Sequence, residues 1–229
     1  GTSYIGHLYR WDHQDHSIRR LTYDQEHNWN PVQMQDGRIL YLRWEYSDIP
    51  HFAARILFTM NPDGTGQREY YGSNSYWPNA LFYAKPLPDN PRQFVAIVSG
   101  HHGVCRMGDL VLFDPSRGRK ETDGVIQRIP HRGKKVEPII RDELVDNTYP
   151  RFLYPQPLGN NYILVSCQPH PGALWGIYLV DLFDNMTLIH EEAGQALFEP
   201  TLVKEAPRPQ SIQPQYAPGK PTHVKIVDI

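Results

Sequence analysis

Residues 29–78, WNPVQMQDGRILYLRWEYSDIPHFAARILFTMNPDGTGQREYYGSNSYWP, decide the fold, because four short runs in them are separated by turns. The runs are WNPVQ (29–33), RILYLRW (38–44), RILFTMN (55–61) and REYYG (68–72). Gly37 and Gly64 can adopt positive φ in the turns, and Pro62 presets the first dihedral of the second turn. Hairpin turns between such runs predict an antiparallel four-stranded unit.

The same order of strands and turns recurs later in the chain. A second unit runs from ALFYAKPL at 80–87 to VIQRI at 125–129, and a third from RFLYPQPL at 151–158 to MTLIHEE at 186–192. Parts of two further units lie at 7–22 and at FEPTLV, residues 198–203. We interpret one set of prolines as equivalent points in successive units: Pro31, Pro78, Pro150 and Pro200.

Units of roughly 40 to 50 residues with four strands each are typical of β-propeller blades. We therefore predict an all-β propeller with three full blades and parts of two others, within a ring of six or seven blades; the alternative is one β-sandwich. Ile39–Trp44, Phe94–Ser99 and residues 162–167 are predicted as the second strands of consecutive blades. Residues 136–147, VEPIIRDELVDN, predict a short helical insertion.

Composition limits the domain organisation and the partners. The 229 residues carry 23 Lys and Arg against 25 Asp and Glu, a net charge of -2, which argues against a nucleic-acid partner. No apolar run approaches the roughly 20 residues that span a bilayer. The expected division is a propeller over 1–203, incomplete at its N-terminus, a proline-rich linker over 204–222, and the start of a following domain over 223–229. The expected partners are flanking domains of the same polypeptide, or other proteins.

The two cysteines, Cys105 and Cys167, form no Cys-x-x-Cys-His motif, so covalent haem is not expected in this chain. Cys105 lies in the loop between two strands, and Cys167 at the end of a strand in the next unit. We expect them to approach each other on one face, either as a disulfide or as two thiols.

One face of the predicted propeller is rich in imidazole and carboxylate groups. In each blade the loop between the second and third strands opens on the same face as the connection to the next blade. That face collects a set of candidate ligand-binding residues: His51, His101, His102, His170, Glu26, His27 and Asn74. His101, His102 and His170 are the candidate ligands of a divalent metal. The alternative is that these histidines are ordinary polar loop residues.

Two hypotheses for function follow. In the first, the chain is a non-catalytic scaffold or interaction domain. In the second, the histidine-rich face binds a metal or small ligand and contributes to a redox or hydrolytic active site with a flanking domain. No Gly-x-Ser-x-Gly elbow or glycine-rich phosphate loop occurs in the sequence, so whether the protein is an enzyme stays open.

Several segments resemble one known family. DQEHNWNP (24–31), DGRILYLRWEYSD (36–48), TMNPDGTGQ (59–67), GHHG (100–103) and APRPQ (206–210) before VKIVDI are similar to the middle propeller domain of the hydrazine synthase alpha-subunit family. The PDGT turn resembles TolB-like and WD40-like propeller repeats. The resemblance implies a propeller between two flanking domains of an exported bacterial protein, in the periplasm or secreted.

Overall fold

The computed structural model describes residues 4–45, 54–100, 106–205, 207–215 and 219, and in them the chain forms strands and turns with no helix. Alternating and β-branched runs such as FVAIVS account for strands of this kind. The described strands are β1 (Tyr9–Trp11), β2 (Ile18–Arg20), β3 (Asn28–Gln33), β4 (Ile39–Trp44), β5 (Arg55–Met60), β6 (Arg68–Tyr71), β7 (Ala80–Pro86), β8 (Phe94–Ser99), β9 (Asp109–Phe113), β10 (Val125–Ile129), β11 (Arg151–Pro157), β12 (Tyr162–Gln168), β13 (Gly176–Asp181) and β14 (Met186–His190).

The strands form three four-stranded antiparallel units, each with its strands paired in chain order. The first unit is β3 to β6, the second β7 to β10, and the third β11 to β14. The prediction that β4, β8 and β12 each pair with the strand that follows is confirmed. The all-β class is confirmed as well.

The units are linked by few backbone contacts. A single parallel pair, Arg55 with Ala80, joins the first and second units into one extended sheet. An isolated bridge between Gly108 and Phe152 connects the second unit to the third. Strands β1 and β2 form a separate hairpin. The described sheets do not close on one another, so the ring itself stays a prediction.

Aromatic side chains pack the first unit against the second. The rings of Phe94 in β8 and Phe113 in β9 are stacked with centroids 4.9 Å apart, and Tyr71 of β6 meets Phe113 edge-on, also at 4.9 Å. Trp77, which is 2% exposed, lies against Phe113. One buried apolar cluster runs through all three units. Offset and edge-on aromatic pairs add to the burial of apolar area, so this packing stabilises the arrangement of the units.

The first strand of each unit contains a β-bulge at the same place. The bulge residues are Asn30, Tyr83 and Tyr154, with φ of 50°, 55° and 51°. The ladder to the second strand shifts register there, between Trp29 and Val32, Phe82 and Lys85, and Leu153 and Gln156. Glu199, with φ of 55°, repeats the conformation in residues 198–203, which form no strand. Because a bulge re-aims side chains, its repetition turns one residue per unit towards a common place.

The predicted equivalence of the prolines is wrong. Pro31 lies inside β3, directly after the bulge residue Asn30, and Pro200 follows Glu199 in the same way. Pro78 and Pro150 instead precede β7 and β11. Proline lacks a backbone N–H, and it is therefore tolerated both at a bulge and before a strand. The four prolines thus have two different roles, after a bulge residue or before a strand, although their spacing in the sequence suggested a single role.

The predicted helical insertion is also wrong. Residues 135–141 have no regular structure, and residues 142–147 form turns. Pro138 disfavours a helical conformation in the residue before it, and the few residues after it are too short to form a stable helix. Ile139 and Ile140 are about half exposed, whereas Val145 is 1% exposed and anchors the segment. Asn79 Nδ2 donates to the carbonyl of Arg141 at 2.7 Å, which fixes the segment beside the second unit.

Part of the proline-rich segment lies against the first unit. The backbone N–H of Gln210 donates to the carbonyl of Gln35 at 3.0 Å, and that of Gln215 donates to the Asp63 carboxylate at 2.5 Å. Gln35 and Asp63 belong to the turns after β3 and β5. The segment therefore passes over the end of the first unit at which these two turns lie. The predicted domain boundaries stay predictions, and residues 223–229 lie outside the described part.

Candidate functional site

Three residues predicted for the ligand-binding face fall outside the described residues: His51, His101 and His102. Of the remainder, Asn74 and His170 are exposed. Asn74 lies in the turn before Trp77 with φ of 51°. His170 Nδ1 is 3.1 Å from the carbonyl oxygen of the adjacent Pro171. In the described ranges, no group of three or more His, Cys, Asp or Glu side chains is arranged to hold a metal ion. The metal site stays a prediction.

His27 has a structural environment. Its Nδ1 accepts a hydrogen bond from the backbone N–H of Gly6 at 2.9 Å, which leaves Nε2 to carry the ring proton when the imidazole is neutral. Its ring is stacked on Trp29, with centroids 5.0 Å apart, and on Trp44 at 6.2 Å. Glu26, its neighbour in sequence, is partly exposed. These contacts hold the N-terminal segment against the first unit.

Cys167 lies in β12 with no exposed surface. Burial raises the pKa of its thiol to about 12, because the thiolate would lose its hydration. A buried, neutral thiol is a poor nucleophile. Since Cys105 lies outside the described residues, the predicted approach of the two cysteines stays a prediction.

A cavity of about 430 Å³ lies where the first strands of the units come together. Its walls come from equivalent positions of the chain, including all four residues with the repeated left-handed conformation. The lining residues are Asn30, Pro31, Val32, Tyr83, Lys85, Arg106, Tyr154, Glu199, Pro200 and Thr201. Non-glycine residues at positive φ are uncommon and cluster at functional sites. We therefore take this cavity as the candidate site.

Two tyrosines join the second and third units at the cavity. The ring centroids of Tyr83 and Tyr154 are 4.2 Å apart. Burial raises the pKa of Tyr83, and the neighbouring Tyr154 raises that pKa further, while Arg106 lowers it. Both effects keep the Tyr83 hydroxyl protonated at neutral pH, so it acts as a hydrogen-bond donor or acceptor and not as a phenolate.

Two cations and one carboxylate line the cavity. Lys85 Nζ donates to Gln156 Oε1 at 2.8 Å. Burial lowers the pKa of Lys85, and the Glu199 carboxylate opposes that shift. The Arg106 guanidinium lies 5.1 Å from the Trp29 ring centroid and 5.6 Å from that of Phe82. Cation–π contacts of this kind orient a guanidinium without neutralising it.

Sequence reasoning missed the cavity. Arg106 comes from the connection between β8 and β9, one of the three loops expected on the functional face. The missed signal is a tripeptide pattern that occurs in the three first strands and once more after β14: Trp29-Asn30-Pro31, Phe82-Tyr83-Ala84, Leu153-Tyr154-Pro155 and Phe198-Glu199-Pro200. In each, an apolar or aromatic residue precedes the bulge and a proline or alanine follows it.

Comparisons with known proteins support the fold. No family model matches the chain, and no curated protein matches it. Among solved structures, the chain is similar to hydrazine synthase of Kuenenia stuttgartiensis, with 15% sequence identity and a TM-score of 0.55. The match covers 77% of this chain and 21% of that chain, so this chain spans about a fifth of its neighbour's length. At this identity the resemblance predicted from the motifs is confirmed for the fold alone.

Proposed function

We propose that the chain is a β-propeller domain that serves as a scaffold and interaction surface in a longer, exported bacterial protein. The observation that carries the proposal is the repeated bulge in the first strands, which gathers equivalent residues of successive units around one cavity. Radial packing of blades around an axis produces this arrangement, whereas the two faces of a sandwich do not.

The likeness to a solved structure supports a domain within a longer chain, because the match covers 21% of the hydrazine synthase chain. The motif resemblance supports a periplasmic or secreted location. The described part of the chain contains no helix long and apolar enough to cross a bilayer. A net charge of -2 favours protein partners, such as flanking domains, over nucleic acid.

Metal analysis of the purified full-length protein tests the scaffold role against the metal-site alternative. We expect far less than one equivalent of zinc, copper or iron, and no change in metal content when His101 and His102 are both replaced by alanine. His13→Ala with His16→Ala, two exposed histidines of the β1–β2 hairpin, is the matched control. A stoichiometric metal that is lost in the first variant and retained in the control would contradict the scaffold proposal.

A further inference from the structure

We propose that the cavity between the first strands of the units binds a small organic carboxylate that also carries a hydroxyl group as a hydrogen-bond donor, as a hydroxy acid does. The inference concerns the residues that line this cavity and does not depend on closure of the ring. It also differs from a metal site, because the cavity is lined by two cations, Lys85 and Arg106, and by only one carboxylate, Glu199.

The charge balance of the cavity favours a monoanion. Lys85 and Arg106 contribute two positive charges, and Glu199 contributes one negative charge. An ammonium group carries three donors, and the bond from Lys85 to Gln156 uses one of them. Lys85 is half-buried, so a carboxylate beside it would restore part of the stabilisation that the ammonium group loses on leaving water.

Asn30, one of the residues that line the cavity, has a side-chain oxygen that lacks a hydrogen-bond partner. Asn30 Oδ1 is buried and has no hydrogen-bond partner among the described residues. Buried side-chain acceptors without a partner are unusual in folded proteins, and each requires an explanation. A hydroxyl group on the ligand would donate its one proton to this oxygen.

The other residues that line the cavity favour an organic ligand over an inorganic ion. The faces of Tyr83 and Tyr154, together with Pro31, Val32 and Pro200, supply apolar surface. The volume of about 430 Å³ lies within the range of small-molecule sites. Since the bulges fix the backbone at Asn30, Tyr83 and Tyr154, these side chains need little reorganisation on binding, which lowers the entropic cost.

Isothermal titration calorimetry at constant ionic strength tests the inference with two sets of probes. The first set is 4-hydroxybenzoate, benzoate and 4-hydroxybenzamide; the second is lactate, propionate and lactamide. We expect saturable binding of at least one hydroxy acid. Its amide, which lacks the charge, is expected to bind about tenfold more weakly or worse, and the acid without the hydroxyl should bind with intermediate affinity.

Variants locate the site. Lys85→Gln and Arg106→Gln should each weaken binding of the hydroxy acid about tenfold, and Lys135→Gln, an exposed lysine outside the cavity, should not change it. Asn30→Gly keeps the backbone conformation and should make the hydroxy acid bind no better than the acid without the hydroxyl. Circular dichroism and the Tm verify that each variant is folded. Any one of three results would overturn the inference. The first is equal binding of acid and amide, and the second is unchanged binding by the folded Lys85→Gln and Arg106→Gln variants. The third is no saturable binding of either hydroxy acid.

Discussion

The rings of Tyr83 in β7 and Tyr154 in β11 lie 4.2 Å apart between centroids, although 70 other residues separate them in sequence. Each is the bulge residue of the first strand in its unit. A direct contact between equivalent residues of consecutive units is expected where blades converge on an axis. This pair therefore ties the repeated local structure to the cavity at which the units meet.

The packing of the Tyr83 ring on the Tyr154 ring couples the second and third units. Tyr83→Ala should lower the free energy of unfolding by about 2 kcal/mol, because it removes a ring that packs between the two units. Tyr154→Ala in the Tyr83→Ala background should cost about 1 kcal/mol less than it does alone, since the ring that it contacts is already absent. Urea unfolding of the two single variants and the double variant measures this coupling, with Tyr9→Ala, an exposed tyrosine, as the control. Additive effects would show that the two rings act independently.

Phe113 holds the first unit against the second. Phe113→Ala should lower the free energy of unfolding by about 3 to 5 kcal/mol, because it leaves a cavity under the stacked Phe94 and the edge-on Tyr71. The matched control is Phe183→Ala, since Phe183 is 55% exposed and should cost far less. Thermal unfolding followed by circular dichroism compares the two. Similar Tm values for both variants would contradict the assigned packing.

Gly37 allows the left-handed backbone of the turn after β3, and its lack of a side chain leaves room for the proline-rich segment. A side chain at Gly37, with φ of 84°, would collide with the carbonyl oxygen of Gln210. Gly133, with φ of 75°, has open space around the corresponding position. Both alanine variants carry the cost of a left-handed backbone, but only Gly37→Ala should displace the segment. Hydrogen exchange should therefore show faster exchange of the Gln210 amide in Gly37→Ala than in Gly133→Ala. Equal protection in both would contradict the contact.

Cys167 should be inert in the folded protein. Its pKa of about 12 keeps the thiol protonated, and it has no exposed surface. We expect no alkylation of Cys167 by iodoacetamide in native protein at pH 8, and full alkylation after denaturation without reductant. Peptide mass spectrometry separates the outcomes. Modification of Cys167 in the native state would contradict its burial, and protection that persists after denaturation would reveal a disulfide.

The strands of the three units were predictable from local sequence, and the cavity was not. Turn glycines and prolines fix hairpins within a few residues, so β4, β8 and β12 were located from single runs such as Phe94–Ser99. The cavity instead depends on residues far apart in sequence, Asn30, Tyr83, Tyr154 and Glu199, which meet because three bulges and one further left-handed residue turn them inward. Hydrophobic periodicity does not encode such a bulge. The loop histidines were selected instead because imidazole is a common metal ligand.

Spin-label distances test the radial arrangement of the units most directly. Four exposed positions lie at the same end of the first and third units. Gln33 ends β3 and Asn160 lies in the turn after β11, so both mark the first strand of a unit, whereas Arg68 in β6 and Thr187 in β14 mark the last strand. The labels are attached to cysteines introduced in a Cys105→Ser background, with the buried Cys167 unchanged. In a propeller, the first strand of each blade lies nearest the axis and the last strand lies farthest from it. The distance between labels at 33 and 160 should therefore be clearly shorter than that between labels at 68 and 187. An outer distance equal to or shorter than the inner one would contradict the account.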